Sequence, residues 1–151
     1  HFEGVIDIID RLLIIINPQY IFLGEKDFQQ LFLIKKYIKG KFKVKIIPCK
    51  TVRNKNLVAL SSRNKLLNKK NIYKAGQIAK KLKIFKYRVK KDFNYKKKLN
   101  EFKIFLMKKY QIKIDYLELR NENDLKKIKN YKKFRLFIAY YINKVRLIDN
   151  F

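Results

Sequence analysis

The sequence holds one cysteine, Cys49, and one histidine, His1, among its 151 residues. A single cysteine cannot form an internal disulfide, and one His with one Cys falls short of a zinc ligand set. A Ser-His-Asp triad would have to draw on the first residue. Tryptophan is absent, proline occurs twice and glycine four times, which excludes Pro/Gly-rich linkers. Leu12 to Ile16 is the longest aliphatic run, far short of the roughly 20 apolar residues of a membrane helix. No signal-peptide pattern opens the chain. The expectation is a cytoplasmic protein with no membrane contact.

Apolar material is plentiful. Hydrophobic residues make up 48% of the chain and aromatics 15%, enough for a packed core and too much for wholesale disorder. Basic residues number 39 against 12 acidic ones, a formal charge of +27. Such a balance fits polyanion binding, but 32 of the basic residues are Lys and only seven are Arg. Base and phosphate readers lean on the guanidinium fork. Lys, Ile, Asn, Phe and Tyr are enriched together and share AT-rich codons, so compositional drift accounts for the charge and nucleic acid is not expected as a partner. The charge is uneven: residues 1–64 carry +7 and residues 65–151 carry +20. A domain boundary is expected near Asn64.

Phe2, Val5, Ile6, Ile9, Leu12, Leu13 and Ile16 recur at helical spacing until Asn17-Pro18. Tyr20 to Leu23 reads as a short strand running into Gly24. Asp27 suits an N-cap with Gln30 as capping-box partner, opening a helix that stops at Gly40. Val44, Ile46 and Ile47 form a second strand closed by Pro48. The order strand–helix–strand predicts a parallel βαβ unit. Residues 49–60 read as a loop, with Ser61-Ser62 at a helix start. Beyond Asn64, helices are expected over 69–84 and 92–109. Strands follow over Ile112–Leu119, Phe134–Ile142 and Val145–Ile148, the last two joined by a tight turn at Asn143-Lys144. The predicted fold is α/β: a parallel domain over 1–64, then a small α+β domain with an antiparallel sheet over 65–151. No internal repeat or long linker is visible.

Two segments could carry chemistry. Gly24-Glu25-Lys26-Asp27 follows a parallel strand and precedes a helix, where open α/β sheets bind ligands. Glycine admits a close ligand, Lys26 brings a mobile charge, and a helix N-terminus favours anions. A turn glycine, a solvated lysine and an ordinary cap remain the alternative. Leu60-Ser61-Ser62-Arg63-Asn64 offers hydroxyls and a guanidinium that can converge on phosphate oxygens. A serine cap beside a surface arginine is the alternative there.

Phe22-Leu23-Gly24-Glu25-Lys26-Asp27-Phe28-Gln29-Gln30-Leu31 resembles the central motif of pantothenate synthetases, the pantoate–β-alanine ligases. His1-Phe2-Glu3-Gly4-Val5 is similar to that family's His-Phe-x-Gly-Val segment. Thr51-Val52-Arg53, followed by Ala59 to Asn64, is similar to its adenylate-binding loop, and Arg146-Leu147-Ile148-Asp149-Asn150 to its C-terminal strand. Residues 65–110 match in pattern only. The family's His-x-Gly-His element is missing, which implies that the chain is the later part of such an enzyme, with an incomplete Rossmann-like, nucleotidyltransferase-type domain and a whole C-terminal domain.

The resemblance implies a ligase of pantothenate biosynthesis that activates pantoate as an adenylate with ATP and Mg²⁺, then transfers it to β-alanine with release of AMP and pyrophosphate. It implies a homodimer in the complete enzyme and an inactive fragment here. Gly24 and Asp27 would face the adenosine ribose and Lys26 the phosphates, with Glu25 also in the ATP site. Gln30 would hold pantoate, with Val5, Ile8 and Ile9 walling its gem-dimethyl group. Val52 would meet adenine through its backbone, Leu60 would belong to the ATP site, and Ser61, Ser62 and Arg63 would clamp the triphosphate. Lys26, Ser61, Ser62 and Arg63 would be the catalytic set, and no protein metal ligand is implied. His1 would support the pantoate pocket, and Cys49 would only pack. The competing readings are another nucleotidyl-transferring enzyme of the same superfamily and a non-enzymatic basic module.

Overall fold

A computed structural model describes residues 2–89, 94–128 and 133–151. His1, and the start of the helix expected over 92–109 including Phe93, lie outside the described residues. The chain forms two compact units, His1–Thr51 and Val52–Phe151.

The first unit opens with helix α1 (Phe2–Ile16). Asn17 ends it at φ 45°, its N–H donating to the Leu13 carbonyl at 3.0 Å, and Pro18 prevents continuation. Strand β1 (Tyr20–Gly24), helix α2 (Phe28–Ile38) and strand β2 (Lys45–Cys49) follow. The two strands pair in parallel, Ile21 beside Ile46 and Leu23 beside Pro48, as the βαβ reading requires. Pro48 therefore lies inside β2 and does not close it. β2 pairs only with β1 among the described residues, and an edge position tolerates a residue without an N–H. Leu13, Ile34 and Ile38 form the core, with Val5, Ile9, Ile21, Leu23 and Ile46 against it. The other sheet face is bare: Tyr20 is 52% exposed and Phe22 67%.

Asp10 ties α1 to the end of α2. The Tyr37 hydroxyl donates to Asp10 Oδ1 at 2.7 Å and Lys41 Nζ donates to the same oxygen at 2.6 Å, while Lys41 also bonds the Tyr37 hydroxyl. Hydrogen bonds from Lys41 first, and from Tyr37 second, hold the Asp10 carboxyl below its ordinary range. Its contribution to stability is thus complete above the unfolded value and disappears as pH falls through the folded one. The stability gap between the protein and its Asp10→Asn variant, measured by urea unfolding, should narrow as pH drops through the carboxylate range. A gap independent of pH contradicts the tie.

The second unit begins with a loop, residues 52–61, and a short 3₁₀ turn, Ser62–Leu66. Helices α3 (Lys69–Val89) and α4 (Tyr95–Tyr110) precede strands β3 (Lys113–Asn121), β4 (Phe134–Ile142) and β5 (Val145–Asn150). The sheet is antiparallel in the order β3-β4-β5. β4 is buried almost throughout because it is central. Ala75, Ile78 and Leu82 of α3 and Leu106 of α4 join Leu117, Leu119, Leu136, Ile138 and Ile142 in one core. Phe85 and Phe102 stack between the helices with ring centres 4.1 Å apart. α3 extends five residues beyond the expected end at 84 because Phe85 and Val89 add to this core. A register shift near Asp115 turns that carboxylate to Arg146, whose Nε donates to it at 2.8 Å. Asn143 forms the tight turn at φ 54°, which Asn tolerates.

Candidate functional site

Each unit carries one of the two candidate segments. In the first, β1 delivers Gly24 to its carboxyl end. Gly24 has extended backbone (φ −72°, ψ 131°), and a Cβ built there meets nothing within 4 Å. Neither strain nor packing among the described residues calls for glycine at this position, and the missing side chain leaves the backbone open to close approach.

The residues after Gly24 differ from the expected cap. Glu25–Asp27 form a 3₁₀ turn, and the Asp27 side chain makes no capping hydrogen bond. The capping box with Gln30 is not formed. The turn inserts one tight step between strand and helix, so Asp27 points outward, half exposed, with Lys26 Nζ 3.8 Å from its carboxylate. Glu25 and Lys26 are partly buried. Gln30, partly buried, lies in the first turn of α2. Val5, Ile8 and Ile9 share one stripe of α1, but they do not behave alike. Val5 and Ile9 pack against the core, whereas Ile8 is 60% exposed.

In the second unit the loop folds back on itself. The Leu60 N–H donates to the Val52 carbonyl at 2.9 Å, and the Asn54 N–H to the Val58 carbonyl at 3.0 Å. Asn54 Oδ1 accepts from the Asn56 and Val58 amides, at 2.9 and 3.0 Å. Val52 and Leu60 are exposed on this fold-back. Ser61 is extended, and its Oγ accepts from the Arg63 N–H at 3.3 Å. Ser62 and Arg63 are exposed beside it. The helix start expected at Ser61-Ser62 is a five-residue 3₁₀ turn, and the α-helix begins only at Lys69. So short a turn has little macrodipole, and what it offers an anion is hydroxyls, amides and the guanidinium.

Sequence reasoning missed what fastens this loop. Arg53 Nη1 and Nη2 each donate to one oxygen of Asp149 at 2.8 Å. Nη1 also donates to the Leu57 carbonyl at 2.9 Å and Nη2 to the Asn150 carbonyl at 3.1 Å. Asn64 Nδ2 donates to the Ala59 carbonyl at 3.0 Å. Arg53, Asn64 and Asp149 all lie in recognisable motifs, but local spacing carries no sign that they reach one another or the loop backbone. The Arg53–Asp149 contact also spans the second unit. It ties residue 53 to β5, within the compact unit that begins at Val52.

Among the described residues no group of three or more His, Cys, Asp or Glu could hold a metal ion, and no helix is long and apolar enough to cross a membrane. Cys49 is exposed at the end of β2, with its thiol 3.7 Å from the Ile47 carbonyl.

The sequence profile of the pantoate-beta-alanine ligases matches residues 1–151. The pantothenate synthetase of Flavobacterium psychrophilum is 38% identical, over 99% of this chain and 54% of its own length. That of Endomicrobium trichonymphae is 42% identical, over 99% of this chain and 53% of its own. The crystal structure of pantothenate synthetase from Thermus thermophilus superposes on the whole chain and 55% of its own, with a TM-score of 0.88 at 28% identity. The pantoate-beta-alanine ligase of Francisella tularensis, complexed with beta-gamma ATP and beta-alanine, gives a TM-score of 0.71 at 36% identity, over the whole chain and 50% of its own. The chain thus spans about half the length of the curated relatives it matches.

Proposed function

The chain belongs to the pantoate–β-alanine ligase family, and on that premise we propose that it forms the C-terminal part of an enzyme joining pantoate to β-alanine at the expense of ATP. The observation that supports this most is Gly24. A glycine that its own fold does not require stands at the end of a parallel strand, directly before Lys26 and Asp27.

The pantoate carboxylate oxygen attacks the α-phosphorus, the bond to the bridging oxygen breaks, and pyrophosphate departs. The β-alanine amine then attacks the acyl carbon, the carbon–oxygen bond to phosphate breaks, AMP leaves, and the amine proton passes to solvent. Neither step demands a protein base. The protein's task is to place the reactants and to offset charge at the phosphorus. Lys26, Ser61, Ser62 and Arg63 do this in our reading, and Gly24, Glu25 and Asp27 take the ribose side. Val52 and Leu60 hold adenine, and Gln30 with Val5, Ile8 and Ile9 holds pantoate.

Because no described carboxylate cluster can cage a cation, Mg²⁺ fits as the ion carried on the nucleotide phosphates, whose charge it neutralises. A homodimer and a cytoplasmic location complete the reading. Both rest on the resemblance to the family. Release of AMP from ATP that depends on both pantoate and β-alanine, assayed in the complete ligase containing these residues, tests the activity. AMP release with neither acid present would contradict it.

Gln30 gives a finer test. Its amide can donate to the carboxylate and accept from a hydroxyl of pantoate. Gln30→Leu should raise KM for pantoate by about tenfold, the scale of one lost hydrogen bond to a charged group, and leave KM for ATP nearly unchanged. An equal rise in both would assign the side chain to α2 and not to the pocket.

A further inference from the structure

The loop carrying Val52 and Leu60 is held from two sides by residues that the proposed chemistry does not use. On one side stands the Arg53 guanidinium, only partly exposed, against an Asp149 carboxylate that is 8% exposed. Four hydrogen bonds fix its orientation: two to Asp149, one to the Leu57 carbonyl and one to the Asn150 carbonyl. The Phe151 ring packs beneath it, 4.4 Å from the guanidinium carbon. Asn150 is fixed in turn, its Oδ1 accepting from Arg135 Nη1 at 2.8 Å. Burial keeps the adjacent Tyr140 hydroxyl protonated far above its ordinary range, and the Asp149 charge acts in the same direction.

On the other side stands Gly76, buried in α3. A Cβ there would lie 2.6 Å from the Asn56 carbonyl oxygen and 2.9 Å from the Asn56 Cβ. Any side chain at 76 must therefore displace the loop or the helix. The loop tip is itself bent, with Leu57 at φ 69°. Residues at the two ends of this unit, 96 positions apart, thus meet to hold a segment that contributes little burial of its own beyond Val58 and Ala59.

We infer that Arg53, braced by Asp149 and backed by Gly76, is a positioning residue for the nucleotide: it fixes the Val52–Leu60 fold-back in the shape that receives adenine and sets the Ser61-Ser62-Arg63 turn. This rests on the ligase reading above. None of the three need touch substrate. Four of the five Arg53 N–H donors are spent on the chain, and lysine, a point charge without the fork, cannot replace it.

The test uses the complete ligase with three variants, Arg53→Lys, Gly76→Ala and Asp149→Asn, beside Arg63→Ala as reference. Arg53→Lys and Gly76→Ala should each lower kcat/KM for ATP by about 10²-fold, as expected when a supporting shell shifts a binding segment by an ångström. Most of that loss should appear in KM for ATP, with KM for pantoate changed less than about twofold. Hydrogen exchange at the Asn54, Val58 and Leu60 amides should quicken in both. If Arg53→Lys does not fold, Gly76→Ala and Asp149→Asn carry the same comparison. Unchanged KM for ATP in these variants, with Arg63→Ala still impaired, overturns the inference and leaves the ligase reading standing. Equal rises in both Michaelis constants also overturn it, by showing a general loss of structure. If Arg63→Ala is unimpaired as well, the phosphate site is misassigned and the inference falls with it.

Discussion

Lys26→Ala and Arg63→Ala, each made in the complete ligase, are expected to lower turnover by about 10²–10³ and to leave folding intact. The magnitude is what one preorganised charge contact contributes where negative charge builds on a reacting centre. The phosphorus passes through five-coordination when the pantoate oxygen attacks, and its equatorial oxygens carry that charge. The expectation of intact folding comes from location. Arg63 is exposed on a short 3₁₀ turn, and the Lys26 ammonium stands 3.8 Å from a half-exposed Asp27 carboxylate. Such a pair stabilises by about 0–1 kcal/mol, but the Lys26 side chain is only 19% exposed, so the midpoint of Lys26→Ala should fall further than that of Arg63→Ala while both variants remain folded. Thermal melts beside steady-state rates separate the two effects. Near-native turnover in both variants would remove the phosphate role from both motifs.

Much of the framework is visible in the sequence because it depends on periodicity. The Phe2–Ile16 stripe, the apolar runs at Tyr20 and Val44 and the long run from Phe134 each place their element within one or two residues. The interruptions are less legible. Asp27 has the residue type and spacing of a capping box, yet the chain spends Glu25–Asp27 on a 3₁₀ turn. Cap and turn use the same residue types and differ only in backbone angle. Ser61 likewise looks like an α-helical cap and is the cap of a five-residue turn. For the site, Gly24 and Ser61-Ser62-Arg63 stand out because their residue types suit phosphate. What supports them does not stand out. Arg53 meets Asp149 across 96 positions, and Gly76 sits in a helix where nothing local distinguishes it from a weak helix former. Such contacts come from tertiary packing, which no local window contains.

The 151 residues by themselves are expected to make no detectable pantothenate from pantoate, β-alanine and MgATP. The reason lies in the first unit. Its two-stranded parallel sheet packs one face on α1 and α2 and leaves Tyr20 and Phe22 in solvent. Parallel sheets are almost always covered on both faces, and two strands alone are marginal in water. Gly24 and Lys26 depend on the end of that sheet for their position, so a loosely held β1 cannot keep a phosphate contact preorganised. By contrast β4 is paired on both sides and buried on its helix-facing side. Amides of β1 and β2 should therefore exchange with solvent well before those of β4. Supplying the rest of the ligase, in one chain, should slow exchange in β1 and β2 and restore activity. β-Alanine-dependent AMP release by the 151 residues alone would show that the site is already assembled, and the account of β1 would be wrong.

In our reading these residues serve an acyl-adenylate reaction, and an isotope can follow its atoms. Pantoate carrying oxygen-18 in its carboxylate is supplied with ATP and β-alanine to the complete ligase, and the AMP released is weighed by mass spectrometry. If the carboxylate oxygen attacks the α-phosphorus, and the amine later breaks the carbon–oxygen bond, one labelled oxygen must leave on AMP and one must remain in pantothenate. AMP that carries no label, while labelled pantothenate accumulates, would contradict the mechanism at its first step.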